Sequence, residues 1–326
     1  MTVLWMGAAL SAIALAVSLK ARTEVERTSS ALEATRAHFL ASGAAERALN
    51  YVLYGLEGSP RWPDGRVRFW ERGMPLLRFR FQTGEAAVEI IPESSRLNVN
   101  RLPVEELVRL NLAMGMAMQP AVQLAQAIVD WREPAPMGLF SPFDAIYLRR
   151  IPSFRAPHAS VQQIDELMNV AGMTSDLFYG GWVRTAEGRL IPRAGLRDCL
   201  TVYAAPDGAL DVNNATVPAM VAMGVSPQGA LAIEQLRSRA PITAQQLQAL
   251  AGMIGPAMGR LRLGGDNIYT IRATARPFRP DGRPSDLRRT VAMTVQLYFQ
   301  ASAGATRILA WQENAVPRPD IDGWLE

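Results

Sequence analysis

Residues 3–19, VLWMGAALSAIALAVSL, form an uncharged apolar run, and the helical pattern continues long after the apolarity ends. About 17 residues make roughly 25 Å of helix, slightly short of a bilayer's hydrocarbon core. Nothing basic precedes Val3, and no small-residue cleavage site with a polar spacer follows, which separates the run from a secretory signal. A buried core helix would show polarity on some face. The pattern therefore predicts a membrane-spanning helix. With no Gly or Pro directly after Leu19, that helix is predicted to pass straight into an amphipathic one over 20–53. Val25, Leu32, Phe39, Ala48, Leu49, Val52 and Leu53 are read as one apolar stripe along it, with Glu24, Glu26, Arg27, Glu33, Arg36, Glu46 and Arg47 on the other faces. Gly55 and Gly58-Ser59-Pro60 are read as its stop.

The period then shifts toward two. Residues 76–81 alternate toward their end, 86–91 are short and rich in β-branched residues, and Thr83-Gly84-Glu85 is the turn between them. From Leu97 to about Gly264 the sequence reads as almost all helix and loop. One helix starts at 103–107 with Pro103 at an early helical position; others cover 119–131 and 228–239. Three short helices at 144–148, 164–168 and 244–247 each end in a Pro or Gly turn. Leu97-Asn98-Val99-Asn100 and Leu210-Asp211-Val212-Asn213 each introduce a helical block, so two related halves are expected. Strand patterns resume at 268–276, 289–300 and 307–311, with a turn at Pro280-Asp281-Gly282. The Pro-rich tail from Pro317 is expected to be loose.

A sheet interrupted by a helical block implies an insertion into one sheet domain rather than two domains in series. The net charge of +4 is mild, nearly all of the 34 basic residues are Arg, and no run of five like charges occurs. Solvated surface is therefore the first reading of these charges and nucleic-acid binding a minor one. The single cysteine, Cys199, forms no internal disulfide and reads as a small packed apolar residue. His38 and His158 read as surface residues with no nucleophile near them in sequence, and no phosphate loop or hydrolase motif occurs. Residues 251–258, AGMIGPAM, weakly resemble a helix-hairpin-helix, but Arg260 and Arg262 are few charges for DNA. The loop 130–138 offers two acids, Asp130 and Glu133, with Arg132 between them, too few to assign calcium.

Together these stretches resemble the minor pseudopilin K of the type II (general) secretion system over nearly the full length. The residues that carry the resemblance are Leu97-Asn98-Val99-Asn100, Ala127-Ile128-Val129-Asp130-Trp131, Ile151-Pro152-Ser153-Phe154-Arg155-Ala156-Pro157, and the run from Ile164-Asp165-Glu166-Leu167-Met168 to Asn169-Val170-Ala171-Gly172-Met173. Leu200-Thr201-Val202-Tyr203 and Asp211-Val212-Asn213-Asn214-Ala215 complete them. Their order and spacing are more specific than any one alone.

The resemblance implies a non-enzymatic subunit at the tip of a periplasmic pseudopilus, with no resident cofactor. Its partners would be minor pseudopilins I and J, other pseudopilins, the inner-membrane assembly platform and secreted substrates. It also implies a short basic leader trimmed after a Gly. Lys20 and Arg22 by themselves favour a cytoplasmic C-terminus; a leader reverses that balance and puts the C-terminal domain in the periplasm. The family's acid-rich loop, associated with calcium, is shortened here to 132–138, so no calcium ligands are assigned. Most such pilins carry a Glu five residues into the mature helix, read as pairing with a neighbour's N-terminal amine. Here Leu4 and Trp5 occupy that stretch and the first acid is Glu24.

The expected fold is α+β and pilin-like. Residues 1–53 form the N-terminal helix (3–19 transmembrane, 20–53 amphipathic), 54–96 the first part of an antiparallel sheet, 97–264 the helical insert in two halves, 265–312 the closing strands, and 313–326 a flexible tail. Gly7 and Ala8 are expected to allow close helix approach, and Leu4, Trp5, Leu10, Ile13 and Leu15 to meet lipid or partner helices. The competing reading is a membrane-anchored helix-hairpin-helix protein for DNA binding or uptake.

Overall fold

The computed structural model describes residues 1–57, 61–135, 141–185, 187–203, 208–265, 267–298 and 305–325. One helix, α1 (Thr2–Glu57), opens the chain, followed by strands β1 (Leu76–Phe81), β2 (Gly84–Pro92) and β3 (Leu97–Asn98). The insert continues with α2 (Val104–Ala113), α3 (Met118–Arg132), α4 (Asp144–Leu148), a 3₁₀ turn at Ile164–Asn169 and α5 (Ser175–Tyr179). Next come β4 (Gly181–Arg184), β5 (Leu190–Arg193), α6 (Leu196–Cys199) and β6 (Leu200–Thr201). Its second part comprises β7 (Leu210–Asp211), α7 (Val217–Ala222), α8 (Pro227–Arg237), α9 (Ala244–Ala249), α10 (Ala251–Ile254) and β8 (Leu261–Arg262). Strands β9 (Ile268–Pro277), β10 (Arg289–Tyr298) and β11 (Ala305–Gln312) return to the sheet, and α11 (Asp322–Leu325) ends the chain.

The five long strands make one antiparallel sheet in the order β1-β2-β9-β10-β11. One face packs on α1 through a seam of small residues: Ala41, Ala44, Ala45, Ala48 and Val52 are fully buried against Val88, Ile90, Ile271, Ala273, Val291, Met293 and Val295, and Ala37, one turn earlier, is also fully buried. Alanine carries only a methyl group, so the helix axis comes close to the strands. The single stripe expected from the sequence therefore divides. Phe39 lies two residues, or about 200°, from Ala37 and Ala41, and with Val25 and Leu32 it is exposed on the opposite side. Gly55 does not stop the helix, which runs on to Glu57. A Cβ on Gly55 would lie 2.2 Å from the Trp70 carbonyl oxygen, so this glycine permits a close approach. Residues 58–60, also read as a stop, lie outside the described residues. Pro103 is the cap residue ahead of α2 rather than part of it.

The other face of the sheet is polar. Arg272 makes a bidentate pair with Glu89 (2.6 and 2.9 Å), Arg276 meets Glu85 at 2.6 Å, and hydroxyls pair at Thr270–Thr294 and Thr274–Thr290. The segment after β11 lies against this face, which overturns the loose tail. Ile321 and Leu325 are buried against Ala87. Arg197 donates to the carbonyls of Val316 and Pro317, and Arg276 to that of Leu325. Two buried apolar residues and three accepting carbonyls outweigh the proline content.

The insert has its own core, continuous from Leu107, Leu110, Ile128 and Tyr147 to Val212, Met220, Ile233 and Leu247. Its halves repeat in atomic detail. β3 pairs in parallel with β6, and β7 with β8. Asn100 clamps the backbone of Val161 (2.9 and 2.8 Å) and Asn213 that of Ile242 (3.3 and 2.7 Å). At the C-terminus of each second helix an arginine reaches the same carbonyl, Arg132 to Val99 (2.5 Å) and Arg237 to Val212 (2.9 Å). Both helix hairpins turn at a glycine of positive φ, Gly115 and Gly224. The segments 181–184 and 190–193, read as helix or loop, are instead the β4–β5 ribbon.

Candidate functional site: the free helix and the insert

Residues 1–32 project from the fold, all of them exposed. Thr2–Leu56 contains the candidate membrane span among the described residues, and its most apolar window is wholly exposed. Leu4, Trp5, Leu10, Ile13 and Leu15 are 60–76% exposed, Ala8 is exposed, and nothing stands within 4 Å of a Cβ placed on Gly7. The residues singled out from the sequence thus share one free stalk, and none of them serves the core. The exposed face carried by Val25, Leu32 and Phe39, spaced by seven, adds apolar surface beyond the candidate membrane span.

The insert joins the sheet at the end remote from that stalk. A Cβ on Gly84 would meet Leu40, and Ser285 bonds Glu33 (2.7 Å), so the Gly84–Pro277 end of the sheet lies toward the membrane span. The Pro92–Tyr269 end lies beside Gly55 through Trp70, whose ring meets Tyr269 edge-on at 6.0 Å. Residues 22 to 55 rise roughly 50 Å as helix.

Between the polar sheet face and the insert is a cavity of about 590 Å³ lined by Glu93, Arg96, Arg197, Thr201, Arg272 and Thr294 among others. The Glu93 carboxylate accepts from Thr201, Thr270 (2.6 Å) and Arg96 (3.2 Å). Arg272 is held by Glu89, which keeps its guanidinium charged although burial opposes the charge. Arg197 is brought down to about 10 by burial and by Arg272 beside it. These groups hold one another, and no nucleophile–base pair forms among the cavity residues. Cys199 is fully buried and burial pushes its thiol up to about 12, the environment of an inert packing residue.

His158 is not a surface residue. Nδ1 lies 2.9 Å from the Asp130 carbonyl and Nε2 3.1 Å from Asp144 Oδ1. Only the imidazolium donates at both nitrogens. Burial pulls its pKa down, but these two hydrogen bonds outweigh it and leave it above the ordinary value. No group of three or more His, Cys, Asp or Glu side chains that could hold a metal occurs among the described residues. Residues 136–138 of the loop weighed for calcium lie outside them.

Phosphate contact at the helix hairpins would need free cations. Arg260 instead makes a bidentate pair with Glu106 (2.6 and 3.1 Å), and Arg109 donates to the Ala222 carbonyl and lies 3.5 Å from Glu106. These arginines hold the two halves together.

A feature hidden in the sequence is the β4–β5 ribbon, whose Trp182, Val183, Leu190 and Ile191 are all exposed. Four-residue strands without polar alternation leave no period-two signal; the surviving signal is two apolar pairs on either side of Gly188.

A long apolar helix laid on an antiparallel sheet, with a helical insert between β2 and β9, defines an α+β protein of pilin-like fold. The chain is similar to a solved chain described as "The Crystal Structure of the GspK-GspI-GspJ complex from enterotoxigenic Escherichia coli Type 2 Secretion System", at 16% identity and a TM-score of 0.55. The match covers 91% of this chain and 100% of that one. No protein-family model and no curated protein matches.

Proposed function

We infer that the chain is a K-type minor pseudopilin of a type II secretion system, a structural subunit and not an enzyme. It crosses the inner membrane once with its C-terminal domain in the periplasm. It assembles with minor pseudopilins I and J at the pseudopilus tip, nucleates or caps the filament, and connects the assembly platform to export of secreted proteins. The observation that carries this reading is a free apolar helix on a pilin-like sheet with a bulky helical insert at the remote end, matched over its length to a chain of a pseudopilin complex. Leu4, Trp5, Gly7, Ala8, Leu10, Ile13 and Leu15 form the membrane and assembly surface.

The tip position has two physical supports. The insert widens the remote end beyond the sheet. The apolar run 3–19 carries no carboxylate, and a buried one costs about 2.5–3.5 kcal/mol unless a neighbour's amine pairs with it. A helix without that group gains nothing from a subunit placed to pair with it. The arginines of the helix hairpins are engaged within the insert, so the DNA-uptake reading keeps little support.

Co-expression of the full chain with minor pseudopilins I and J, followed by detergent purification, should give a stable complex. A Leu4→Glu variant should enter interior filament positions more often than the wild type. Failure to co-purify defeats the pseudopilin reading, and equal interior occupancy defeats the tip argument.

A further inference from the structure

We propose that the β4–β5 ribbon is a docking site for a partner protein with an acidic surface, which covers the ribbon and adds a strand to one of its edges. Trp182 (50% exposed), Val183 (38%), Leu190 (56%) and Ile191 (48%) cluster on two four-residue strands. Val183 and Ile191 stand opposite each other on one face, with Trp182 and Leu190 on the other, so both faces present apolar surface. β4 and β5 form a sheet of two strands, so each has an outer edge able to take a further strand. A two-stranded ribbon of this kind is marginal in water until something packs on it.

The ribbon is nevertheless held at a fixed angle. Gly180 has a φ of +77°, and a Cβ there would lie 2.7 Å from the nitrogen of Gly195. A Cβ on Gly195 would lie 2.2 Å from the Phe178 carbonyl oxygen. Beneath it the Arg197 guanidinium sits 5.1 Å from the centre of the Tyr179 ring. The root is therefore closely packed, which limits the ordering cost of binding.

Charge and position select the occupant. The ribbon carries Arg184, Arg189 and Arg193 against Glu187. A partner that covers the apolar residues also desolvates arginines, and a desolvated cation needs a carboxylate opposite it. A second copy brings the same basic ribbon on a chain of net charge +4, so it is disfavoured. A membrane is out of reach. The root lies at the level of Arg272, because Asp198 accepts from the Gly195 N–H (2.9 Å) and stands 3.9 Å from Arg272. Arg272 is register-opposite Glu89, five residues along β2 from Gly84, and Gly84 lies beside Leu40, itself 18 residues past Arg22. That is roughly 40 Å along the helix and strand, against strands of about 13 Å. The proposal stands independently of any filament.

The test replaces Trp182 or, separately, Leu190 with p-benzoylphenylalanine in the full chain and irradiates cells of the native host. The expected result is an adduct, at either position, with a protein whose identified sequence is net negative. Its yield should fall at least fivefold when Arg189→Glu and Arg193→Glu are added, while membrane insertion and protein level stay unchanged. An adduct that survives charge reversal, adducts confined to lipid or to a second copy of the chain, or no adduct at either position would each overturn the proposal. A complex with minor pseudopilins I and J that persists in the Arg189→Glu, Arg193→Glu variant would leave the pseudopilin reading intact whichever way the ribbon result falls.

Discussion

Asn213→Ala removes both hydrogen bonds to the backbone of Ile242, a residue only 4% exposed. One N–H and one C=O are left without partners where water has little access. At about 1–3 kcal/mol for each orphaned group, the loss is about 2–6 kcal/mol, a large part of the 5–15 kcal/mol that typically holds a domain together. Asn100→Ala inflicts the same lesion on Val161, 2% exposed, and should cost a similar amount. Asn213→Asp keeps an acceptor for the Ile242 N–H but turns a carboxylate oxygen toward its carbonyl, so it should do no better than alanine. Urea unfolding of the full chain in detergent, followed by tryptophan fluorescence, measures the loss. Hydrogen exchange at peptides containing Val161 and Ile242 locates it. If either alanine variant cost less than about 0.5 kcal/mol, or if aspartate restored stability, the clamps would not carry the weight assigned to them.

His158 gives a pH signature. Its folded pKa lies above the ordinary value, so its stabilisation is complete below about pH 6.5 and is lost as pH rises through the folded pKa. The difference in Tm between wild type and His158→Gln should therefore shrink from pH 6 toward alkaline pH, and an NMR titration midpoint at or below about 6.5 would refute the imidazolium geometry. Glu89→Gln strands the Arg272 guanidinium behind the tail and should destabilise by about 3–5 kcal/mol, whereas Glu89→Leu combined with Arg272→Leu should cost much less. Denaturant midpoints of the three chains check the ordering, and equal losses would refute it.

What the sequence made legible was periodic. The apolar run, the long helix, the strands at 76–81, 268–277 and 289–298 and the paired Leu97/Leu210 motifs repeat at fixed spacing and need no knowledge of distant neighbours. The features it concealed depend on partners far along the chain. Gly55 reads as a helix stop until Trp70 is seen against it. Arg132 and Arg237 choose carbonyl acceptors, which residue letters do not encode. Proline content in the tail says nothing about a polar face with arginines facing its carbonyls. On α1, the split between the alanine seam and the Phe39 side follows from the sheet's position, since both faces contain apolar residues. The exposed apolar residues of the stalk were legible because a long uncharged run is a property of composition, whereas the ribbon and the His158 clamp are products of folding.

Pro92 and Tyr269 are register partners on adjacent strands, so the polypeptide leaves the sheet and re-enters it at a single doorway. A short turn joining β2 to β9 would close that doorway and leave a minimal pilin-like fold with every long strand still paired. Conversely, cargo of any size could be hung there without shifting the strands or the stalk. The architecture behaves as a socket: the helix with its sheet and the insert that leaves from it can be exchanged, enlarged or lost separately.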